Sequence, residues 1–179
     1  MVVWQSPEEA IDDGWRLLEA AAGDPGHPCR LMALATICVG RPAVRTLVLR
    51  RCESSTRQLH CYSDLRSAKV AQLNACADAE LMVYHPQRRL QLRASAVSTI
   101  ATEGSLCDDA WSGLDPRQRR EYLDCASPEP AEESAARRNF CLLCYSVHTL
   151  DVLLLDAQGH RRVQGRYGES GWASRWLRP

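Results

Sequence analysis

The sequence predicts a single α+β domain spanning residues 1–179, built on a closed or partly closed β-barrel with helices on its flanks. Short β segments, bounded by turn residues, recur from about residue 29 to residue 177. Only a few segments have helical periodicity, which favours a barrel over a helical bundle. The chain is 45% hydrophobic and 25% charged, and these values are ordinary for a globular protein.

The first element is a helix that begins after Ser6. Ser6 is the predicted N-cap, Pro7 occupies the first helical position, and Glu9 can close a capping box. Apolar residues then recur on one helix face, and the glycine and proline residues at 23–26 end the helix.

The later elements follow from alternating apolar positions and from turn residues between them. A helix is predicted at 66–77, and the helical segment 106–123 is broken near Asp115, which can cap a second short helix. Residues 40–42 are predicted to form a turn, and the Pro- and Glu-rich stretch 126–136 a surface loop. The predicted strands are 29–39, 44–50, 58–62, 80–84, 90–100, 140–147, 150–156, 160–167 and 172–177.

Charge and cysteine content exclude some classes of protein. Twenty-two Asp and Glu residues balance 21 arginines and one lysine, Lys69, which disfavours a nucleic-acid module built on Arg88, Arg89 and Arg93. Nine irregularly spaced cysteines do not form a disulfide framework, and most lie in apolar runs. No signal-peptide pattern or long apolar run is present. We therefore expect a cytoplasmic protein that binds neither nucleic acid nor membranes.

The segment from Tyr62 to Lys69 carries the main chemical signal. It follows a strand and opens a helix, whose free N–H groups and positive dipole end favour a phosphate. Arg66 and Lys69 add cations to this turn, and Ser63 and Ser67 add hydroxyl donors. Two cations at this end oppose the helix dipole, so an anion should compensate them.

A third cation supports a phosphate site. Arg45 opens an otherwise aliphatic strand and could grip the same anion with two hydrogen bonds. The alternative is a solvated helix turn and an arginine at a strand edge, both of which are common.

Other candidate sites are weaker. Cys141 and Cys144 have the spacing of a redox or zinc pair, but residues three apart in a strand point to opposite faces. No metal-ligand spacing and no nucleophile elbow is present, so we predict no metal site and identify no catalytic residue. The basic segment 160–166 is either an anion-binding barrel rim or a charged, protected edge strand.

The order of these segments resembles the pyridoxamine 5'-phosphate oxidase-like FMN-binding split barrels. The similarity runs from about Arg30 onward through residues 45–50, 62–69 and 89–93, continues through 111–122, and resumes at Asn139. It ends at residues 172–179, where an aromatic, an arginine and Leu-x-Pro follow one another. The resemblance implies an FMN-binding split barrel and a homodimer with FMN at the subunit interface.

The resemblance also implies roles for individual residues. By position, Arg45 and Lys69 would hold the FMN phosphate with help from Ser63, Arg66 and Ser67. Arg50 and Arg162 fall where the oxidases hold their substrate. The remaining implied FMN contacts are Thr46, Leu47 and Val48 along the flavin ring, Tyr62, Gln91 hydrogen-bonded to the flavin, and Arg166 from the partner subunit.

Departures from the family pattern concern the substrate. Gln164 stands at the position of a histidine, residues 153–156 lack the family's tryptophan, and residues 111–117 lack its phosphate-gripping residues. The resemblance therefore implies an FMN-dependent oxidoreductase acting on a small amine, a pyridoxamine-phosphate-like compound or reduced nicotinamide. A non-enzymatic flavin- or haem-binding sensor, store or carrier is the alternative.

Overall fold

A computed structural model describes residues 4–123 and 133–179 of the chain. Within these ranges the chain forms five helices and eight strands. None of these helices is both long enough and apolar enough to cross a membrane. The elements are α1 (Pro7–Gly23), β1 (Leu31–Cys38), β2 (Arg41–Glu53), β3 (Gln58–Asp64), α2 (Ala68–Ala75), β4 (Asp78–His85), β5 (Leu90–Ala101), α3 (Ser105–Ser112), α4 (Pro116–Arg120), α5 (Glu133–Asn139), β6 (Phe140–Leu154), β7 (Arg161–Gly168) and β8 (Gly171–Leu177).

Six antiparallel strands close into a barrel, and two more extend it. The strand order is β3-β2-β1-β4-β5-β6-β7-β8, and β3 also pairs with β6 to close the ring. One edge of the long strand β6 pairs with β5. On its other edge, residues 140–146 of β6 pair with β3 and residues 149–154 pair with β7. The prediction of an α+β barrel with flanking helices is confirmed.

Helix α1 packs against β2, β6, β7 and β8. Ser6 Oγ accepts a hydrogen bond from the Glu9 amide at 3.3 Å, as predicted, although the Glu9 carboxylate accepts from the Gln5 amide at 2.6 Å instead of the Ser6 amide. Gly165 of β7 lets the helix approach closely, because a Cβ at this position would lie 2.9 Å from Ile11 Cδ1.

The barrel core is one hydrophobic cluster. A second cluster, which is aromatic, lies on the outer face of the barrel where β3 pairs with β6. Phe140 packs against Tyr62, Trp111 and Tyr122, with ring centroids 5.1–5.4 Å apart. The cluster includes Cys107 and Trp111 of α3 and Ala136 of α5, and so holds these short helices against the barrel.

Three local predictions were wrong. Residues 140–154 form one strand, because pairing with β5 continues through a register shift between Ser95 and Ala96. The turn lies at Val39 and Gly40, whose φ angles are 49° and 72°, and Pro42 already pairs with Ile37. Residues 133–136, predicted as loop, belong to α5, and the predicted loop residues 126–132 lie outside the described ranges.

Cys141 and Cys144 diverge as predicted. Cys141 joins the barrel core, whereas Cys144 packs against the aromatic cluster on the other side of β6. The eight cysteines in the described ranges are all free.

Candidate functional site

The turn between β3 and α2 places the predicted phosphate-binding residues. Asp64 shapes this turn, since its side chain accepts from the Arg66 amide at 2.8 Å and its carbonyl accepts from the Ser67 amide at 3.1 Å. The Leu65 amide donates to the Asn139 carbonyl at 2.7 Å and ties the turn to α5. Ser67 is the N-cap of α2 and makes no side-chain capping hydrogen bond.

Lys69 and two serines form a compact group at this helix start. Lys69 Nζ donates to Ser63 Oγ at 3.1 Å and to Ser67 Oγ at 3.0 Å. The two hydroxyl oxygens lie 3.2 Å apart. Three hydrogen-bonding groups therefore converge where the first N–H groups of a helix lack intrahelical partners.

Arg45 reaches the same helix from the barrel wall. It pairs with Leu34, which is fully buried, so both side chains face the barrel interior. Arg45 Nη1 donates to Thr36 Oγ1 at 2.5 Å and to the Ala43 carbonyl at 3.0 Å. Arg45 Nη2 donates to Gln72 Oε1 at 2.6 Å, on α2. We call Arg45, Lys69, Ser63 and Ser67 the cradle.

The cradle carries two cations without a carboxylate partner. Within residues 4–123 and 133–179, neither Arg45 nor Lys69 forms an ion pair. Burial lowers the pKa of Lys69 and repulsion from Arg45 lowers it further, while Cys141 and Asp64 oppose the shift. Burial raises the pKa of the Cys141 thiol to about 12, so this sulfur does not supply the missing anion at neutral pH.

The cradle fits a phosphate group. Two cations, two hydroxyls and a helix start offer charge-assisted donors from several directions, which is the donor set that phosphate oxygens prefer. Ser63, Ser67 and Lys69 are in direct contact, and Arg45 approaches the same helix at Gln72.

Arg66 lies apart from this group. Its Nε and Nη2 donate to the Asp64 carboxylate at 3.0 and 2.7 Å, and Nη2 approaches the Tyr122 carbonyl at 3.4 Å. The guanidinium of Arg66 therefore points toward the aromatic cluster.

Tyr62 and Arg50 form a neighbouring pair. The Arg50 guanidinium carbon lies 5.1 Å from the centroid of the Tyr62 ring, within the range of a cation–π contact. Arg50 Nε is buried without a hydrogen-bond partner in the described part of the chain. Burial raises the pKa of Tyr62, and the nearby positive charges of Arg50, Arg51 and Arg30 lower it by less.

The other residues implied to contact FMN are distributed along the strands. Leu47 is a core residue at 6% exposure, so only its backbone can face a ligand, whereas the side chains of Thr46 and Val48 point outward. Gln91 lies on the outer face of β5 and opposes Leu153. Arg166 is exposed on β7, where it opposes Thr149 and Ala173.

Arg162 is held by a buried carboxylate that the sequence analysis missed. Asp151 is 3% exposed and accepts from Arg162 Nε at 3.1 Å and from Nη2 at 2.9 Å. Arg93 Nη2 adds a third donor at 3.3 Å. The hydrogen bond with Asp151 raises the pKa of Arg162. The available signal was one acidic residue inside the apolar run 150–155.

Comparison with known proteins places this geometry in a family. The model of the pyridoxamine 5'-phosphate oxidase FMN-binding domain matches residues 13–102, or 90 of the 179 residues. Pyridoxine/pyridoxamine 5'-phosphate oxidase 2 of Arabidopsis thaliana is 26% identical over 169 residues, covering 82% of this chain and 85% of that protein.

Solved structures show the same fold. A pyridoxamine 5'-phosphate oxidase-related, FMN binding protein from Nostoc punctiforme has a TM-score of 0.73 and 26% identity, with full coverage of both chains. PhzG from Burkholderia lata, solved in complex with tetrahydrophenazine-1-carboxylic acid, has a TM-score of 0.78 with 99% of this chain and 98% of that chain covered. At 19% identity, this second likeness concerns the fold alone.

The matched segment contains β2, β3 and α2, the three elements that build the cradle. The resemblance noted in the sequence is thereby confirmed, and the chain belongs to the family of the pyridoxamine 5'-phosphate oxidase FMN-binding domain.

Proposed function

We propose that the protein is an FMN-dependent oxidoreductase whose cradle holds the FMN phosphate. The observation that carries this proposal is the pair of cations that approach α2 without a carboxylate partner among the described residues, Lys69 at the helix start and Arg45 at Gln72. A phosphate bound by both cations would offset the repulsion from Arg45 that lowers the pKa of Lys69. Arg66 contributes less, because Asp64 already binds its guanidinium.

The remaining flavin contacts follow from the strand that leads away from the cradle. The backbone of residues 46–49 lines the flavin ring, and Gln91 donates to it from the outer face of β5. Tyr62, next to Ser63, closes the site beside Arg50. FMN itself supplies the ability to accept a hydride, so these side chains serve to bind and orient the ring.

We propose a homodimer because several large apolar side chains on adjacent barrel strands are exposed. Outward-facing side chains on β1, β2 and β4 include Leu31, Ile37, Val44 and Tyr84, which are 60%, 44%, 67% and 42% exposed. Exposed apolar side chains grouped on one side of a sheet are typical of an interaction surface. The partner subunit's Arg166 would complete each flavin site. Free thiols at all eight described cysteines support a reducing compartment such as the cytoplasm.

Arg50 and Arg162 are the proposed substrate contacts. Arg50 has an unsatisfied Nε, which suits a residue that receives a ligand. Arg162 is already bonded to Asp151, and this observation favours a second candidate, a flavin-binding carrier or sensor without turnover.

The experiment has two steps. The purified protein should be yellow, with flavin absorption near one FMN per chain; a colourless protein that binds no added FMN would contradict both candidates. The flavin is then followed anaerobically with pyridoxine 5'-phosphate or NAD(P)H. Bleaching followed by multiple turnovers on admission of oxygen supports the oxidoreductase, and flavin that stays oxidised supports the carrier.

A further inference from the structure

Gln72 connects Arg45 to helix α2, which also carries Lys69. The Gln72 Oε1 atom accepts hydrogen bonds from Arg45 Nη2 at 2.6 Å and from Thr36 Oγ1 at 2.7 Å. Gln72 and Lys69 are three positions apart in α2, so they lie on the same side of the helix. The contact with Gln72 therefore holds the Arg45 guanidinium against the side of α2 that carries Lys69.

The hydrogen bonds around Gln72 form a closed ring. Arg45 Nη1 donates to Thr36 Oγ1 at 2.5 Å, and this hydroxyl donates in turn to Gln72 Oε1. Arginine has donors only, so the oxygen of the Gln72 amide has to face it. Thr36 is 2% exposed, which anchors the ring in the barrel wall. The guanidinium is planar, and two fixed acceptors determine the orientation of its plane.

The ring fixes Arg45 without neutralising it. Gln72 is uncharged, and Arg45 forms no ion pair within the described part of the chain. Burial lowers the pKa of Lys69 and the Arg45 charge lowers it further, so the two cations interact. The Arg45 Nε–H and one Nη2 hydrogen make no hydrogen bond with the described residues and can serve a ligand.

An amide and a carboxylate at position 72 would have opposite effects on anion binding. A glutamate there would accept the same hydrogen bonds, but it would also form an ion pair with Arg45. One of the two positive charges beside α2 would then be compensated before any ligand arrives. A neutral acceptor orients the arginine and keeps its charge for an external anion.

We propose that Gln72 is a positioning residue for anion binding in the cradle. It holds the Arg45 guanidinium against α2 and leaves the positive charge available to a phosphate. Gln72 acts through Arg45 and needs no contact of its own with the ligand. The inference rests on the proposed function, because the anion is the FMN phosphate.

The test compares the binding of FMN and of riboflavin, which has the same ring system but no phosphate, to the flavin-free full chain by flavin fluorescence. Gln72→Glu should raise the Kd for FMN about tenfold or more and leave the Kd for riboflavin unchanged. Gln72→Met has a similar length but no oxygen acceptor. It should raise the Kd for FMN about 2- to 13-fold, because Arg45 then has to be ordered on binding.

Asn74→Asp is the matched control. It makes the same change from amide to carboxylate at an exposed position of α2, so the net charge of the chain changes equally. Solvent screens a charge at such a position, and the Kd for FMN should change less than about twofold.

Urea unfolding of the flavin-free samples separates positioning from a purely structural role. Gln72→Glu should unfold at the same or a higher urea concentration, because the carboxylate compensates Arg45, and yet bind FMN more weakly. Three results would overturn the proposal: an unchanged FMN affinity in Gln72→Glu, an equal weakening of FMN and riboflavin, or a clear loss of stability in this variant.

Failure of this proposal can be told apart from failure of the proposed function. If the unmutated chain binds FMN no more tightly than riboflavin, the cradle does not hold the phosphate and both proposals are wrong. If the unmutated chain prefers FMN and Lys69→Met reduces this preference while Gln72→Glu does not, only the role of Gln72 is wrong.

Discussion

Removing the Lys69 charge should weaken flavin binding without weakening the fold. In Lys69→Met the side chain keeps similar bulk, and Ser63 and Ser67 can still bond each other across 3.2 Å. A charge-assisted hydrogen bond contributes about 1.5–3 kcal/mol, so the Kd for FMN should rise about 10- to 150-fold. The flavin-free variant should unfold at the same or a higher urea concentration, because a half-buried cation beside Arg45 has been removed.

The assay is titration of flavin-free protein with FMN, followed by flavin fluorescence, together with urea unfolding of the same samples. Arg51→Met is the matched control, because Arg51 lies on the same strand as Arg45 but forms an exposed ion pair with Glu53. It should leave the FMN affinity unchanged. An unaltered FMN affinity in Lys69→Met, or a clear loss of stability without flavin, would refute the assignment of Lys69 to the phosphate.

The pH dependence gives an independent check. Burial, with repulsion from Arg45, lowers the pKa of Lys69 in the folded flavin-free chain, so the unfolded chain holds this proton more tightly. The buried Lys69 charge therefore destabilises the folded chain fully at pH values below the pKa of Lys69 in the folded state. This destabilisation disappears as the pH rises toward the ordinary pKa of lysine. FMN affinity should fall over the same interval, because a phosphate favours the ammonium form. The Met variant should lack this part of the pH dependence.

Three further predictions follow from packing and exposure. Asp151→Ala should lower the free energy of unfolding by about 3 kcal/mol. This is the lower end of the range for a broken buried ion pair, because the side chains of its partners Arg162 and Arg93 remain 29% and 40% exposed. Thermal melting measures the change, and an unchanged melting temperature would show that the ion pair does not stabilise the fold. Gly165→Ala should cost about 1–3 kcal/mol, since the new Cβ would lie 2.9 Å from Ile11 Cδ1; partial rescue by Ile11→Val in urea unfolding is expected, and its absence would place the strain elsewhere. Val44→Asp should yield monomers by light scattering, whereas Val39→Asp, in an exposed turn, should not; a dimeric Val44→Asp would move the interface to another face.

The strands were predictable because each obeys a local rule. Alternating apolar residues and turn residues gave the approximate position of every strand, and Ser6 with Pro7 gave the start of α1. Two strands predicted at 140–147 and 150–156 are one, since β5 pairs with the chain on both sides of His148, which the register shift leaves without a partner on β5. Pairing of this kind depends on residues about 50 positions away and leaves no local pattern.

Ser63, Ser67 and Lys69 could be grouped from the sequence, because they lie at the end of β3 and at the start of the helix that follows it. Arg45 lies within β2, and pairing of β2 with β1 brings it to Thr36 and α2.

The hydrogen-bond partners of the cations were not predictable. Arg66 and Lys69 both lie near the start of α2, but they have different partners. Arg66 forms an ion pair with Asp64, whereas Lys69 donates hydrogen bonds to two serines. Asp151 was placed in the predicted strand 150–156 without an assigned role. Only the register of β5, β6 and β7 shows that two arginines surround it.

The seam between β3 and β6 sets the order in which the protein can assemble. Hairpins such as β1–β2 join near neighbours, but Gln58 pairs with Ser146, 88 residues later. Such a distant contact forms late, after the entropy of closing a long loop has been overcome. Ser63 lies in this seam, and its carbonyl accepts a hydrogen bond from the Cys141 thiol. A nascent chain that ends before residue 140 therefore contains every cradle residue but lacks the strand that closes the barrel beside Ser63. If the cradle holds FMN as proposed, FMN would stabilise the closed barrel only after β6 has joined β3.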